Sequence, residues 1–477
     1  MTRESWQTRI GFILAAVGSA VGLGNLWRFP WMASENGGAA FLVVYLGVVL
    51  LVGVPGLLAE FTIGRRARRN PVGALRDLSD SRFWSAFGHV FVVTAVALLS
   101  FYSVVGGWIL RYFAESFTGA YFADPGAHFA AIDYGAAAVG FHLLFLAATA
   151  VIVLRGVRRG IERATKVMMP AILVLLGGLA AWGLTLDGAA AGVAFYLTPD
   201  VGYLRANFLD ILPAAAGQAL FTLSLGAGTM LTYASYLGED RSLAADGAAI
   251  AVLNTLVGVL AGVVVFPILF ALGAGAGPAG PGALFVSLAG AFAALPYGQV
   301  VGAAFFGVVA LAALSSSISM LEIPVAFLVD EYGVSRRRAV AGLAGLFAVT
   351  GSVVALDPDL FGFVAGPLVD LLLTGGLVGF MLFAGWVLGV DAVAELRAGA
   401  GALARSLATP WLYAVGVALP AFLMFTLVSA LAAAAGVPVG PLSVFGLELD
   451  RTRVLLVVTA LVAVASFLGL RRPQSVL

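Results

Sequence analysis

Cysteine is absent from the 477 residues, so neither a disulfide framework nor thiol chemistry is available. Charge is scarce: 11% of the residues are Asp, Glu, Lys or Arg, against about a quarter in soluble domains. Only His89, His128 and His142 carry imidazoles, and they stand far apart, without the spacing of a metal site. The formal net charge of +1 gives no reason to expect a nucleic-acid or acidic partner. No nucleophile pattern, metal cluster or appended soluble domain is visible, which argues against an enzyme, and no obligatory protein partner is evident.

What fills the chain is apolar: 61% of the residues are hydrophobic and the mean hydropathy is +1.03. Water does not accommodate such a surface, but a bilayer does. At about 20 apolar residues per crossing, the length leaves room for about a dozen helices with short loops. The first apolar run follows Arg3 and Arg9, lacks a small-residue cleavage site and contains Asn25 and Arg28, unlike a removable signal peptide.

Charged, Gly-rich and Pro-rich breaks divide the chain into twelve spans, near 10–34, 39–64, 86–117, 136–154, 161–184, 209–237, 243–273, 300–330, 336–356, 362–389, 410–436 and 452–470. Arginine collects on every second loop: Arg65, Arg66, Arg68 and Arg69, then Arg155, Arg158 and Arg159, Arg241, Arg336 to Arg338, Arg397 and Arg405, and finally Arg471 and Arg472. The loops 118–135 and 274–299 carry almost none. Positive charge stays on the cytoplasmic side, so both termini are expected there, in a multi-pass protein of the cell membrane.

Two spans are unsuited to continuous helix. The first contains Gly18, Gly22 and Gly24 followed by Asn25, Arg28 and Pro30, and the sixth is interrupted by the run from Thr222 to Gly228. They open two groups of five spans, and the odd number sets those groups in opposite orientation. Unwound backbone inside a bilayer is tolerated only where it lines a cavity, and there its carbonyls are free to hold a cation. Helix N-termini at the same breaks favour an anion such as a carboxylate. A paired break therefore suits a zwitterion accompanied by a cation.

The segment GSAVGLGNLWRFPWMASENGG (18–38) resembles the first helix of the neurotransmitter:sodium symporter family, the LeuT-type transporters, for which the inverted repeat with two broken helices is itself the reference case. GQALFTLSLGAGTMLTYASY (217–236) is similar to the family's sixth helix, RGVRRGIERATKVMMP (155–170) to its fourth-to-fifth loop, and SSSISMLEIPVAFLVDE (315–331) to its eighth helix. The similarity runs through spans one to ten. It implies an all-α integral membrane protein of twelve helices with a five-plus-five inverted repeat: a transport core over 1–390 and two further helices over 391–477. The activity implied is sodium-coupled import of a neutral, apolar or aromatic amino acid by alternating access. A proton-coupled carrier of the same fold and a non-transporting substrate sensor are the alternatives.

The resemblance also implies residue roles. A first sodium site would use the Ala20 carbonyl, Asn25, Thr222 and Asn254, completed by the substrate carboxylate. A second would use the carbonyls of Gly18, Val21 and Ala312 with the hydroxyls of Ser315 and Ser316, where the family more often has threonine at position 315. The amides of Leu23 and Gly24 with the Tyr102 hydroxyl would hold the carboxylate, and carbonyls near Ala20, Phe221 and Ser224 the amine. Monoamine carriers place an aspartate at the position of Gly22, so an amino acid is favoured here. Leu98, Phe221, Ala227, Ser317 and Met320 would bound an apolar side-chain pocket, which rejects charge. Tyr45, Gln218, Thr222 and Asn254 match a chloride site whose fifth position is Gly258, without the acid that replaces chloride in some members. Arg3, Trp6, Ser235, Tyr236 and Asp330 would form the inner gate, with an Arg3–Asp330 ion pair. Arg28, Gln218, Tyr102 and Phe221 would form the outer one. The acid expected on span ten falls near Phe361 and Gly362, with Asp359 as a substitute, and Asp370 has no assigned role. Glu60 and Glu322 read as neutral or hydrogen-bonded packing residues.

Overall fold

A long apolar run that leaves water must satisfy its amide and carbonyl groups internally, and it does so by coiling. The computed structural model describes residues 5–238, 241–273 and 283–434, together with two short strands and positions 460, 461 and 464. In chain order the spans are α1 (Arg9–Ala20 and Gly24–Glu35, bent by 51° at the break), α2 (Ala39–Ala67), α3 (Arg82–Ser116), α4 (Ala136–Leu154) and α5 (Val157–Gly183). There follow α6 (Val201–Thr222 and Thr229–Ala234), α7 (Leu243–Ala271), α8 (Gly298–Tyr332), α9 (Arg336–Leu356), α10 (Pro358–Leu388) and α11 (Ala402–Val428).

Eleven of the expected spans thus have a helical counterpart, and the twelfth, at 452–470, falls almost wholly outside the described residues. Span six starts earlier than its hydropathy suggests. Arg205 and Asp210 interrupt the apolar run, yet the helix begins at Val201, capped by the Asp200 carboxylate accepting from the Tyr203 amide at 3.0 Å. The loop between α7 and α8 contains a short apolar helix, Leu284–Ala293. After α11, Leu442–Val444 pairs antiparallel with Leu447–Leu449, an element the sequence reading lacked.

Burial ranks the helices. The most apolar stretch of α3 is 78% buried and that of α8 67%, whereas α4, α5 and α9 reach only 39%. Helices α3 and α8 therefore run through the middle, and α4, α5 and α9 face outward. Helix α8 packs along α3, α5 and the first half of α1. That placement brings the serine run of α8 against the break in α1.

Candidate functional site

Helix α1 stops at Ala20, and Val21 turns to extended backbone (φ −76°, ψ 101°). The chain re-enters helix through Gly22, whose carbonyl accepts from the amides of Asn25 (3.1 Å) and Leu26 (3.3 Å). Opposite it, α6 unwinds over 223–228, where Ser224, Gly226 and Gly228 take φ of 52°, 78° and 80°. Glycine adopts this left-handed backbone freely, but serine does so at a cost of about 1–3 kcal/mol. The Ser224 hydroxyl donates to the Ser19 carbonyl at 2.9 Å, tying the two breaks together. Glu60, buried in α2, accepts from the Gly226 amide at 2.7 Å and the Leu231 amide at 3.3 Å. It thereby serves backbone donors that the unwinding of α6 leaves without helical partners.

Five oxygens expected to form one sodium site meet between α1 and α8. The Ser316 hydroxyl lies 3.0 Å from the Ser19 carbonyl, 3.4 Å from that of Val21 and 3.5 Å from that of Gly18. The Ser315 hydroxyl lies 2.9 Å from the Ala312 carbonyl and 3.4 Å from that of Val21. Hard, neutral oxygens in this number suit a hard cation. Ser19 was not anticipated, although it adjoins the predicted Gly18 and Ala20.

The other oxygen group joins α1, α2, α6 and α7. Asn25 donates to the backbone carbonyl of Asn254 at 2.9 Å and to its side-chain oxygen at 3.0 Å, with both residues fully buried. Gln218 donates to the Gly24 carbonyl at 2.7 Å, and the Thr222 hydroxyl donates to the Gln218 carbonyl at 3.0 Å and lies 3.2 Å from that of Tyr45. The Gln218 side-chain oxygen and the Asn254 side-chain nitrogen are buried without a hydrogen-bond partner among the described residues. Such orphans are costly, about 1–3 kcal/mol each. A side chain at Gly258 would start 3.5 Å from the Asn25 amide nitrogen, so this position faces the cluster.

Between the breaks lies a cavity with about 20 Å³ of free space, room for roughly one water. Ala20, Gly22, Gly24, Leu98, Tyr102, Phe221, Ser224, Ala227 and Met320 line it with Ser19, Thr229, Ser316 and Leu373, while Leu23 and Thr222, also expected to meet the substrate, are not in the lining. The Leu23 amide donates to the Tyr102 hydroxyl at 3.1 Å. A Cβ at Gly22 would stand 2.6 Å from that hydroxyl and press on Ser316, and one at Gly24 would stand 2.8 Å from the Phe221 ring. These positions have no room for a side chain. Ser317 is a correction: it turns from the cavity to α4, where its hydroxyl and that of Thr149 are 2.7 Å apart. Successive helical residues point about 100° apart, so three adjacent serines cannot share a target. Thr229, the first helical residue after Gly228, was findable from the break itself, while Leu373 carried no sequence signal.

On the outer side, the Arg28 guanidinium lies over the Phe221 ring, 5.0 Å from its centre, and 3.7 Å from the Asp370 carboxylate. Asp370 on α10 is therefore the acidic partner of Arg28. Phe361 instead packs in an aromatic cluster with Phe101, Trp108 and Tyr134, and Asp359 is exposed in the first turn of α10, where its amide donates to Asp357. On the inner side, the Trp6 indole donates to the Tyr233 carbonyl at 2.9 Å, and the Tyr236 hydroxyl donates to Glu322 at 2.9 Å. Both terminal nitrogens of Arg336 reach the fully buried Glu322, so of the two expected roles, neutral or hydrogen-bonded packing, it takes the hydrogen-bonded one and is half of an ion pair as well. The Ser235 hydroxyl donates to the Thr232 carbonyl at 2.6 Å, and Asp330 accepts from the Asn70 amide at 3.0 Å. Arg3, the expected partner of Asp330, lies outside the described residues.

Residues 3–124 and 130–360 match the model of the sodium:neurotransmitter symporter family. The chain belongs to that family. It is a multi-pass membrane transporter of the sodium-dependent class, with the LeuT fold, and not an enzyme. It is 38% identical over 369 residues to the uncharacterized sodium-dependent transporter YhdH of Bacillus subtilis, covering 75% of this chain and 81% of that one. It is 30% identical over 306 residues to the human sodium-dependent neutral amino acid transporter SLC6A17, covering 56% of this chain and 41% of that one. The crystal structure of MhsT in complex with L-phenylalanine superposes with a TM-score of 0.80 at 38% identity, over 90% of this chain and all of that one.

Proposed function

We propose that this symporter imports a neutral amino acid with an apolar or aromatic side chain, coupled to two sodium ions, by alternating access. The observation that carries the reading is the convergence of both helix breaks on one small apolar-ended cavity flanked by two oxygen clusters. The amides of the second half of α1 and the Tyr102 hydroxyl would hold the substrate carboxylate, which would also complete the Asn25–Asn254 sodium site. Leu98, Ala227, Met320 and Leu373 would surround the side chain, and burying a charge among them is prohibitive. The likeness to MhsT with bound phenylalanine supports an aromatic or large aliphatic ligand. Because the free space is about 20 Å³, entry of such a ligand requires Phe221 and the flexible Met320 to rotate outward.

The Tyr45, Gln218, Thr222 and Asn254 group suits chloride. It offers hydroxyl and amide donors, including the unpartnered Asn254 nitrogen, and Gly258 supplies no fixed charge in its place. Residues 1–390 would form the moving core and 391–477 two peripheral helices, in the plasma membrane with both termini cytoplasmic. The test is binding of labelled phenylalanine to purified protein in sodium chloride, potassium chloride and sodium gluconate. Sodium-dependent binding that Asn25→Ala and Asn254→Ala each abolish, and that gluconate weakens, is expected. Equal binding in sodium and potassium would overturn the reading.

A further inference from the structure

The inner gate is tied to a helix outside the transport cavity. Arg65, in the last turn of α2, has a side chain only 1% exposed, and a guanidinium is buried that deeply only when its donors are matched. Its Nε donates to the Glu395 carboxylate, and its two terminal nitrogens donate to the backbone carbonyls of Glu395 and Arg241. Glu395 belongs to a short helix, Val390–Arg397, between α10 and α11. Arg241 stands in the loop that leads from the inner half of α6 to α7, five residues after Tyr236. The planar fork of Arg65 thus fixes acceptors from two segments in one geometry, which a point-like ammonium would not. The chain beyond the linker helix lies on the same loop: at Gly399, where φ is 65°, a Cβ would stand 3.0 to 3.2 Å from the backbone of Arg241 and Ser242.

Arg241 in turn reaches α1. Its guanidinium donates to the fully buried Asp246 at 2.6 Å and lies over the Phe12 ring, 5.8 Å from its centre. The other Asp246 oxygen accepts from two nitrogens of Arg9, at 2.9 and 3.0 Å. Phe12 packs against Trp6 at 5.9 Å, and Trp6 meets Tyr233 edge-on at 5.2 Å. Contacts therefore run without a gap from the linker helix through Arg65 and Arg241 to the aromatic residues of the inner gate. An outward shift of the α6–α7 loop would part Arg65 from a carbonyl and Arg241 from the Phe12 ring together. Building on the alternating-access reading, we propose that Arg65 is a positioning residue of the inner gate. It pins the α6–α7 loop to the linker helix, which keeps the Arg241 guanidinium against Phe12 and Asp246 and the cytoplasmic path closed. The segment beyond the ten-span core is then the anchor against which that path closes.

The chain has no cysteine, so one introduced thiol reports on each side. Ser319→Cys places it one turn nearer the cytoplasm than the Ser315 hydroxyl, and Gly217→Cys places it facing Arg28 on the outer side, where a Cβ has room. The rate of labelling by a cationic methanethiosulfonate is measured on the detergent-purified full chain in sodium and in potassium. In sodium, Glu395→Gln is expected to speed labelling at Ser319→Cys by about tenfold or more, the weight of one charge-assisted hydrogen bond, without speeding it at Gly217→Cys. Gly399→Ala pushes the linker off the loop without altering any charge; it should act in the same direction, and it keeps the test open if Glu395→Gln fails to fold. Arg66→Gln breaks a pair with Asp391 of the same helix that is 35% and 55% exposed, and should leave both rates within about threefold. Faster labelling on both sides would mean loosened packing instead of a released gate, and it would overturn the proposal, as would unchanged rates in both Glu395→Gln and Gly399→Ala. If the Ser319→Cys rate in the otherwise unaltered chain is indifferent to exchange of sodium for potassium, alternating access and the gate fall together; if it responds while the variants do not, only Arg65 leaves the gate.

Discussion

Replacing Ser316 by alanine removes one oxygen from the α1–α8 cluster while leaving the fold nearly untouched. Its hydroxyl lies 3.0 to 3.5 Å from the carbonyls of Ser19, Val21 and Gly18. In the substituted protein the Tyr102 hydroxyl loses its hydrogen bond with Ser316 but still accepts from the Leu23 amide, and the Ser19 carbonyl still accepts from Ser224, so stability falls by about 1 kcal/mol. A polar contact to a charged group is worth more, about 1.5–3 kcal/mol. If that contact is to sodium, the half-saturating sodium concentration should rise by about 10- to 150-fold, at tenfold per 1.4 kcal/mol. The assay is sodium titration of phenylalanine binding to purified wild type, Ser316→Ala and Ser315→Ala/Ser316→Ala. The double substitution should be the more severe and the melting temperatures should stay close. A half-saturating concentration within about twofold of wild type in both variants would refute the assignment, since twofold is only about 0.4 kcal/mol.

Other outcomes follow from the gates and the pocket. Glu322→Gln leaves the Arg336 guanidinium facing a neutral group at a fully buried site, which costs about 3–5 kcal/mol; the melting temperature should fall sharply, and adding Arg336→Gln should restore most of it. Asp370→Asn should speed phenylalanine release by no more than about fivefold, because a 3.7 Å pair that is 21% and 40% exposed is worth about 0–1 kcal/mol after screening; Arg28→Ala should do more, losing its cation–ring contact with Phe221 as well, and a release rate unaltered by Arg28→Ala would remove both residues from the gate. Ala227→Phe should fill the side-chain end of the cavity and lower tryptophan binding relative to alanine, and an unchanged ratio would mean that Ala227 does not bound the substrate.

The features most legible in the sequence were those that break a rule of membrane helices. Glycines with Asn25 and Arg28 inside an apolar run, and the Leu223–Gly228 interruption, located both breaks because nothing else explains such residues at that depth. The oxygen clusters were implied by the family resemblance, and Asn254, Ala312, Ser315 and Ser316 lie outside the two breaks. What stayed hidden depended on helix rotation and on contacts distant in sequence. Asp370 escaped because the resemblance placed the acid near Phe361 and Gly362, more than two helical turns earlier, and its contact with Arg28 joins helices distant in sequence. The Glu322–Arg336 pair forms across the α8–α9 hairpin, which depends on Gly333 taking φ 64°. Composition shows two charges there without showing that they meet. Ser317 illustrates the reverse error, in which residue type was right and direction was wrong.

Whether the sodium gradient moves an apolar amino acid is decided by uptake into proteoliposomes. Labelled alanine, leucine, phenylalanine and tryptophan are offered with an inward sodium gradient, with equal sodium on both sides, and with potassium in its place. Accumulation of the large apolar substrates above their external concentration is expected only under the gradient, and Asn25→Ala should abolish it. Uptake that merely equilibrates, or that proceeds equally in potassium, would contradict it.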